Sequence, residues 1–220
     1  MRKLRSIVVI GLLFMLSSCI VKSIRPFYLK EHVKFNEKLI GNWTTGKNST
    51  WQITSFKESW EKDNEGNLIL KEEDKEAFES YKEAYIINYT SSEKEALFLA
   101  MPFMVDEHLF LDFTPFDFED SGINGLAAQH LLKTHSAAFV DFQEDGSIKF
   151  KWLDESVLKN LIDQKKIKIK HEKTGIDEDF ILTASSEELY KFLKKFMASD
   201  IEKKWDKDVI KTLIPANAKP

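Results

Sequence analysis

Residues Ala137–Trp152 run AAFVDFQEDGSIKFKW. In the second half, Ile148, Phe150 and Trp152 alternate with Lys149 and Lys151. Successive side chains of a β-strand point to opposite faces, so this pattern describes a strand with one face buried and the other in water. The first half, Ala137–Phe142, carries the aromatic and β-branched residues that suit a pleated, half-buried surface. Asp145-Gly146 lies between the halves and supplies the turn chemistry of a tight antiparallel hairpin.

The same alternation recurs on both sides. Tyr85, Ile87 and Tyr89 form one set, Leu109, Leu111 and Phe113 another, and Trp51–Phe56 is aromatic-rich. Ile167 and Ile169 alternate with Lys166, Lys168 and Lys170, which reads as a strand with a solvated lysine face running through Lys165–Lys173. Leu97-Phe98-Leu99-Ala100-Met101 is apolar on both faces. Ser91-Ser92, Asp106-Glu107 and Glu65-Gly66-Asn67, the last before Leu68-Ile69-Leu70, separate these runs. Eight to ten short strands joined by short turns predict an antiparallel meander. Such a sheet hides its edges best by closing into a barrel, with sheet-on-sheet packing as the rival.

Helical spacing is confined mainly to the second half. Leu153, Val157, Leu158, Leu161 and Ile162 follow Asp154, a good N-cap. Leu189, Phe192, Leu193, Phe196 and Met197 form an apolar stripe behind Ser185-x-x-Glu188, a capping box, so this helix packs on the sheet. Ile201, Trp205, Val209 and Leu213 predict a further amphipathic turn or two before Pro215, and Glu72–Glu83 reads as a short helix or a solvated loop.

Composition bounds the function. The 220 residues are 43% apolar and 31% charged, enough for a single domain with a real core. Residues 1–18 hold Arg2, Lys3 and Arg5 and no acid; the remainder has 29 basic against 36 acidic residues, a balance of −7. That sign argues against nucleic-acid binding, which depends on neutralising phosphates. Arg25 is the only arginine after Arg5, so bidentate guanidinium recognition is nearly unavailable. A single cysteine excludes an internal disulfide framework and a multi-cysteine metal site.

That cysteine ends a distinctive N-terminus. Met1–Arg5 is cationic, and Ile7–Leu16 is a ten-residue apolar run. As a helix it spans about 15 Å, half of the ~30 Å hydrocarbon core of a bilayer, so it reads as a secretory signal and not as an anchor. Leu16-Ser17-Ser18-Cys19 resembles the lipobox of bacterial lipoproteins. The resemblance implies diacylglycerol on the Cys19 sulfur, cleavage before it, and acylation of the new amino group. Two or three chains anchor a protein stably where one does not. The partner so implied is the membrane, through lipid on Cys19. Ile20, in place of the aspartate of an inner-membrane retention signal, favours the bacterial outer membrane facing the periplasm, with a Gram-positive cell surface as the alternative. The expected organisation is a signal peptide over 1–18, a lipidated N-terminus and tether over 19–38, a β-domain with helices over 39–200, and a partly helical tail over 201–220. If flexible, the tether reaches roughly 25 Å; alternatively Phe27, Tyr28 and Phe35 pack back onto the domain.

A second likeness concerns the fold. Leu39-Ile40-Gly41-Asn42-Trp43 is similar to the Gly-x-Trp signature that opens the first strand of lipocalins and related calycins. It implies an up-and-down antiparallel barrel, mainly β with a few helices, in which the tryptophan plugs the closed end and a C-terminal helix packs outside. The arginine that packs across that tryptophan in lipocalins has no counterpart here. The wider pattern, a lipobox, Gly-x-Trp, Phe-rich strands and Leu182–Ser186 before a helix, resembles a group of uncharacterised small bacterial lipoproteins.

No catalytic or phosphate-binding motif is legible. His130 and His135 are five apart, which suits neither one helical face nor one strand face, and Ser136 beside His135 has no orienting acid at a recognisable spacing. Asp117–Gly122 begins like a calcium loop, but the twelfth position is Ala128 where a glutamate is required. No cofactor or metal is expected. The 27 aromatic residues, 17 of them Phe, either fill a core or line a cavity for an apolar ligand or lipid, and the cavity wall would comprise Phe98, Phe110, Phe113, Phe139 and Phe142. The sequence therefore predicts a non-enzymatic, membrane-anchored binding module of the cell envelope. The alternative is a structural or assembly lipoprotein contacting an envelope protein. A hydrolase with a convergent site in a cleft is a third reading.

Overall fold

The computed structural model describes residues 20–46, 49–92, 94–116, 126, 130–176 and 178–216. The signal segment 1–18, Cys19 and the calcium-like stretch Asp117–Gly122 lie outside the described residues. The described residues form eleven strands: β1 Lys22–Ser23, β2 Gly41–Thr44, β3 Ser49–Ser55, β4 Tyr85–Ser91, β5 Lys94–Val105, β6 His108–Pro115, β7 Ser136–Phe142, β8 Ile148–Trp152, β9 His171–Thr174, β10 Asp179–Leu182 and β11 Lys211–Pro215. Three α-helices of the described residues accompany them: α1 Lys75–Tyr81, α2 Glu155–Asp163 and α3 Ser186–Met197.

Strands β2 to β8 form a continuous antiparallel meander. β11 pairs antiparallel with β8 on one side and β2 on the other, which closes an eight-stranded, lipocalin-like barrel. Closure satisfies the backbone groups that an open edge would leave bare. The turns follow the local chemistry. Asp106 takes a positive φ of 51° in the two-residue link between Val105 and His108, and Gly146 does so at 82° while Asp145 accepts from the Ser147 backbone. Between β8 and β11 the chain leaves the barrel to build α2, the antiparallel pair β9–β10 and α3, and β1 from the N-terminal segment adds parallel to β10 to make a three-stranded sheet in the order β1-β10-β9.

The alternation read from the sequence sets the lumen. Trp43, Trp51, Ile53, Tyr85, Ile87, Leu111, Phe113, Phe150, Trp152 and Leu213 are buried in one cluster. Trp51 lies 4.5 Å from Tyr89 and 5.8 Å from Phe150, and Phe113 lies 5.4 Å from Trp152, ring centre to ring centre. The chain's own aromatic rings interlock across the barrel. Trp43 donates from Nε1 to the Leu39 carbonyl at 3.0 Å, and Gly41 beside it takes a φ of 146°, a backbone conformation that favours glycine.

Helix α3 packs on the outside, as its apolar stripe requires. Leu189, Leu193 and Phe196 are buried against Phe103 and Phe110, and burying each such side chain is worth about 1.5–3 kcal/mol. Tyr190 donates its hydroxyl to the Met104 carbonyl at 3.1 Å, and Lys194 pairs with Asp106 at 2.5 Å. The capping box is formed: the Glu188 backbone donates to Ser185 Oγ and the Ser185 backbone to Glu188 Oε2.

Three expectations are corrected. Residues 201–210 form turns and no helix, and Lys211–Pro215 is the strand that seals the barrel; Trp205 stacks on Phe139 at 5.3 Å while Leu213 enters the lumen, so the spaced apolar residues serve different surfaces. Ile167 and Ile169 precede the ladder, which begins at His171. Leu68–Leu70 contributes an isolated bridge from Leu68 to Lys62 and no strand. Of the two alternatives for residues 20–38, the segment packs back onto the domain: Val21, Ser23 and Phe27 are buried, Tyr28 and Phe35 pack against the core, and Ile20 bridges to Asp154.

Candidate functional site

The five phenylalanines proposed as a cavity wall do not share a face. Phe98, Phe113 and Phe142 lie on the lumen side; Phe98 and Phe113 meet edge-on at 5.9 Å, and Phe142 stands at a barrel mouth with 40% of its surface exposed. Phe110 and Phe139 point outward, where they pack 5.6 Å apart beneath Trp205. Both faces of β6 and β7 are covered, so an aromatic residue there need not face the lumen. Phe139 and Phe142 do border a recess of about 300 Å³ at the mouth, beside Phe35, Met104 and Val140.

A polar cluster sits on the outer face of β6. Asp112 is 1% exposed. Its Oδ1 lies 2.6 Å from Nδ1 of His135, which also contacts Thr114 Oγ1 at 2.9 Å, and its Oδ2 accepts from the Phe27 backbone N–H at 2.6 Å. Burial pushes the Asp112 carboxyl above the usual carboxylate range, against the opposing pull of His135 and the Phe27 N–H. Ser23 and His135 exchange both backbone hydrogen bonds beside it. Sequence spacing left His135 without an acid because Asp112 is supplied by a neighbouring strand. Ser136, by contrast, faces the other way and accepts from Trp152 Nε1 at 3.3 Å, so it is no nucleophile for His135. Every assigned hydrogen bond of the Asp112 side chain holds the N-terminal segment or His135 in place. Among the described residues no group of three His, Cys, Asp or Glu side chains converges as a metal site would.

The cleft with the most distinct chemistry lies between α3 and residues 166–170. It has a volume of about 600 Å³, within the range of small-molecule sites. Its floor is Ile167, Ile169, Phe192, Phe196 and Ile201, with Leu161 of α2 at one side. Phe192, Phe196 and Ile169 are buried, and the two rings lie 5.4 Å apart. The rim carries Lys166, Lys168, Lys170, Lys191 and Lys195. Among the described residues, Glu188 is the one acidic side chain lining it. Its carboxyl is held below the usual range by the Ser185 backbone N–H and lies 3.6 Å from Lys170. The other four lysines form no salt bridge among the described residues.

Comparison with protein families, curated proteins and solved structures returned no match. The site therefore stands on its own geometry. A larger recess of about 800 Å³, lined by Phe56, Trp60, Ile86, Leu99 and Phe116, lies against the outer barrel wall.

Both halves of the α3 groove were visible in the sequence, one as a lysine-alternating run and the other as a capped amphipathic helix. Their juxtaposition was not. The lysine alternation over 166–170 reads as a strand with its lysines in water, whereas the chain turns after α2, with the Lys166 and Ile167 N–H groups bonded to the Leu161 carbonyl, and lays Ile169 against α3.

Proposed function

We propose that this protein is a lipid-anchored, non-enzymatic binding module of the bacterial cell envelope, held at the membrane through Cys19, with its binding surface outside the barrel in the α3 groove. The observation that carries the reading is the contrast between a lumen crossed by interlocking aromatic rings and an external cleft with an apolar floor and a cationic rim. A barrel crossed by its own packed aromatic rings can serve as a scaffold, and sites held on rigid elements keep their geometry. The anchor is supported by the coincidence of a cationic start, a ten-residue apolar run and Leu16–Cys19 ahead of the folded domain. The ligand class is an apolar or amphiphilic small molecule or lipid.

The anchor is tested by metabolic labelling with alkyne-palmitate. Label is expected on the wild-type protein in the membrane fraction, and Cys19→Ser abolishes both the label and the membrane association. Absence of label on the wild type overturns the anchor. Binding is tested by native mass spectrometry of the full chain released from membranes: a retained amphiphile supports the reading. Crosslinking that instead recovers one envelope protein, with no small ligand, supports the structural or assembly role.

A further inference from the structure

We propose that the α3 groove binds a single-chain anionic amphiphile, its hydrocarbon chain lying along the Phe192–Phe196 floor and its charged head among the rim lysines. This deepens the function proposed above and rests on it. Phe192 and Phe196 are themselves buried, 8% and 3% exposed, so the apolar surface open to a ligand is chiefly that of the half-buried Leu161, Ile167 and Ile201 beside them. A cleft of about 600 Å³ holds a small amphiphile and not a folded domain. Displacing water from it supplies the apolar part of the affinity.

The charge of the rim selects the head. From Cys19 onward the chain is net acidic, yet this cleft gathers five lysines around one carboxylate. Glu188 is engaged by the Ser185 N–H and Lys170, so four ammonium groups remain without a salt bridge among the described residues. A local reversal of sign in an acidic protein favours an anion there and disfavours a cationic or neutral head. Lysine stems also cover apolar surface while their ammonium ends stay in water, which suits a boundary between chain and head group. The rim holds no arginine. Lysine is a point charge without the planar fork that matches a particular oxyanion, so carboxylate, sulfate and phosphate heads should be accepted alike.

The experiment uses the full chain anchored in phosphatidylcholine nanodiscs, with equilibrium dialysis of decanoate, decyl sulfate and decanol against empty discs. Decanoate and decyl sulfate are expected to bind with similar affinity, each at least about tenfold tighter than decanol. Raising salt from about 0.05 M to about 0.5 M should weaken the two anions and leave decanol unchanged. The Lys191→Glu/Lys195→Glu double variant, which alters only exposed side chains, should erase the preference for anions while keeping the thermal melt of the wild type. Ile201→Ser should weaken all three probes. Equal binding of decanoate and decanol overturns the ligand class but leaves the groove as a site. Absence of binding by all three probes overturns this inference, while the proposed function still stands or falls on the native mass spectrometry of the chain released from membranes. Binding that survives both variants places the ligand elsewhere and overturns the inference. So does lysine-dependent sedimentation with phosphatidylglycerol vesicles in the absence of decanoate binding, which would make this face a membrane-docking surface.

Discussion

The backbone N–H of Phe27 donates to Oδ2 of Asp112 at 2.6 Å, across 85 positions of sequence. Phe27 itself is fully buried. One carboxylate thus fastens the N-terminal segment to the barrel wall while its other oxygen holds His135.

Asp112→Ala removes that fastening and leaves a buried N–H without an acceptor. A loss of about 1–3 kcal/mol is expected, read by urea unfolding at neutral pH. Proteolysis should cut first within residues 20–30. An unchanged midpoint would show that the N-terminal segment is held by apolar packing alone.

The same residue sets a pH dependence. Because burial raises the Asp112 pKa in the folded state, the folded protein binds the proton more tightly than the unfolded chain. The stabilisation linked to that proton is fully present below the unfolded carboxylate value and is lost as pH rises through the raised value. Asp112→Asn lacks it. The melting temperature of the wild type should therefore gain on that of Asp112→Asn as pH falls from about 7 to about 4. A constant gap would contradict the direction of the shift.

The lumen gives a paired test. Phe113→Ala should cost about 3–5 kcal/mol, because Phe98, Phe150 and Trp152 all contact the ring it removes. Phe142→Ala, at the exposed mouth, should stay within about 0.5 kcal/mol of wild type. Similar small losses at both positions would mean that the barrel interior is not tightly packed.

Two local substitutions probe the ends of the fold. Ser185→Ala breaks the capping box of α3 and should cost about 1 kcal/mol. Gly41→Ala meets only ordinary contact at 3.6 Å from the Trp43 indole nitrogen, so any loss comes from the backbone at φ 146°. Such conformations cost a side-chain-bearing residue about 1–3 kcal/mol. Differential scanning calorimetry reads both.

The barrel was legible because alternation and turn residues are local signals. Lys149 and Lys151 mark the wet face of β8 unmistakably, and Asp145-Gly146 admits little besides a hairpin. Where both faces of a strand are covered, alternation loses its polarity. Phe113 shares the lumen face with Leu109 and Leu111, whereas Phe110 shares the outer face with Asp112, where Phe139 and Trp205 cover it. The period of four through Ile201, Trp205, Val209 and Leu213 fits an amphipathic helix, although Ile201 and Trp205 pack outside the barrel, Val209 and Leu213 pack with the lumen cluster, and Leu213 belongs to a strand. The Asp112–His135 contact and the α3 groove arise from tertiary approach, for which spacing carries no signal.

The seam of the barrel has a kinetic consequence. β11 is inserted between β8 and β2, so the cylinder cannot be sealed until residue 215 is in place, long after β2 to β8 have emerged. Until then β2 and β8 present bare hydrogen-bonding edges, and closing the gap requires contacts of very high sequence separation, which form slowly. The newborn chain therefore passes through an interval in which an unsealed sheet must be kept from pairing with its neighbours.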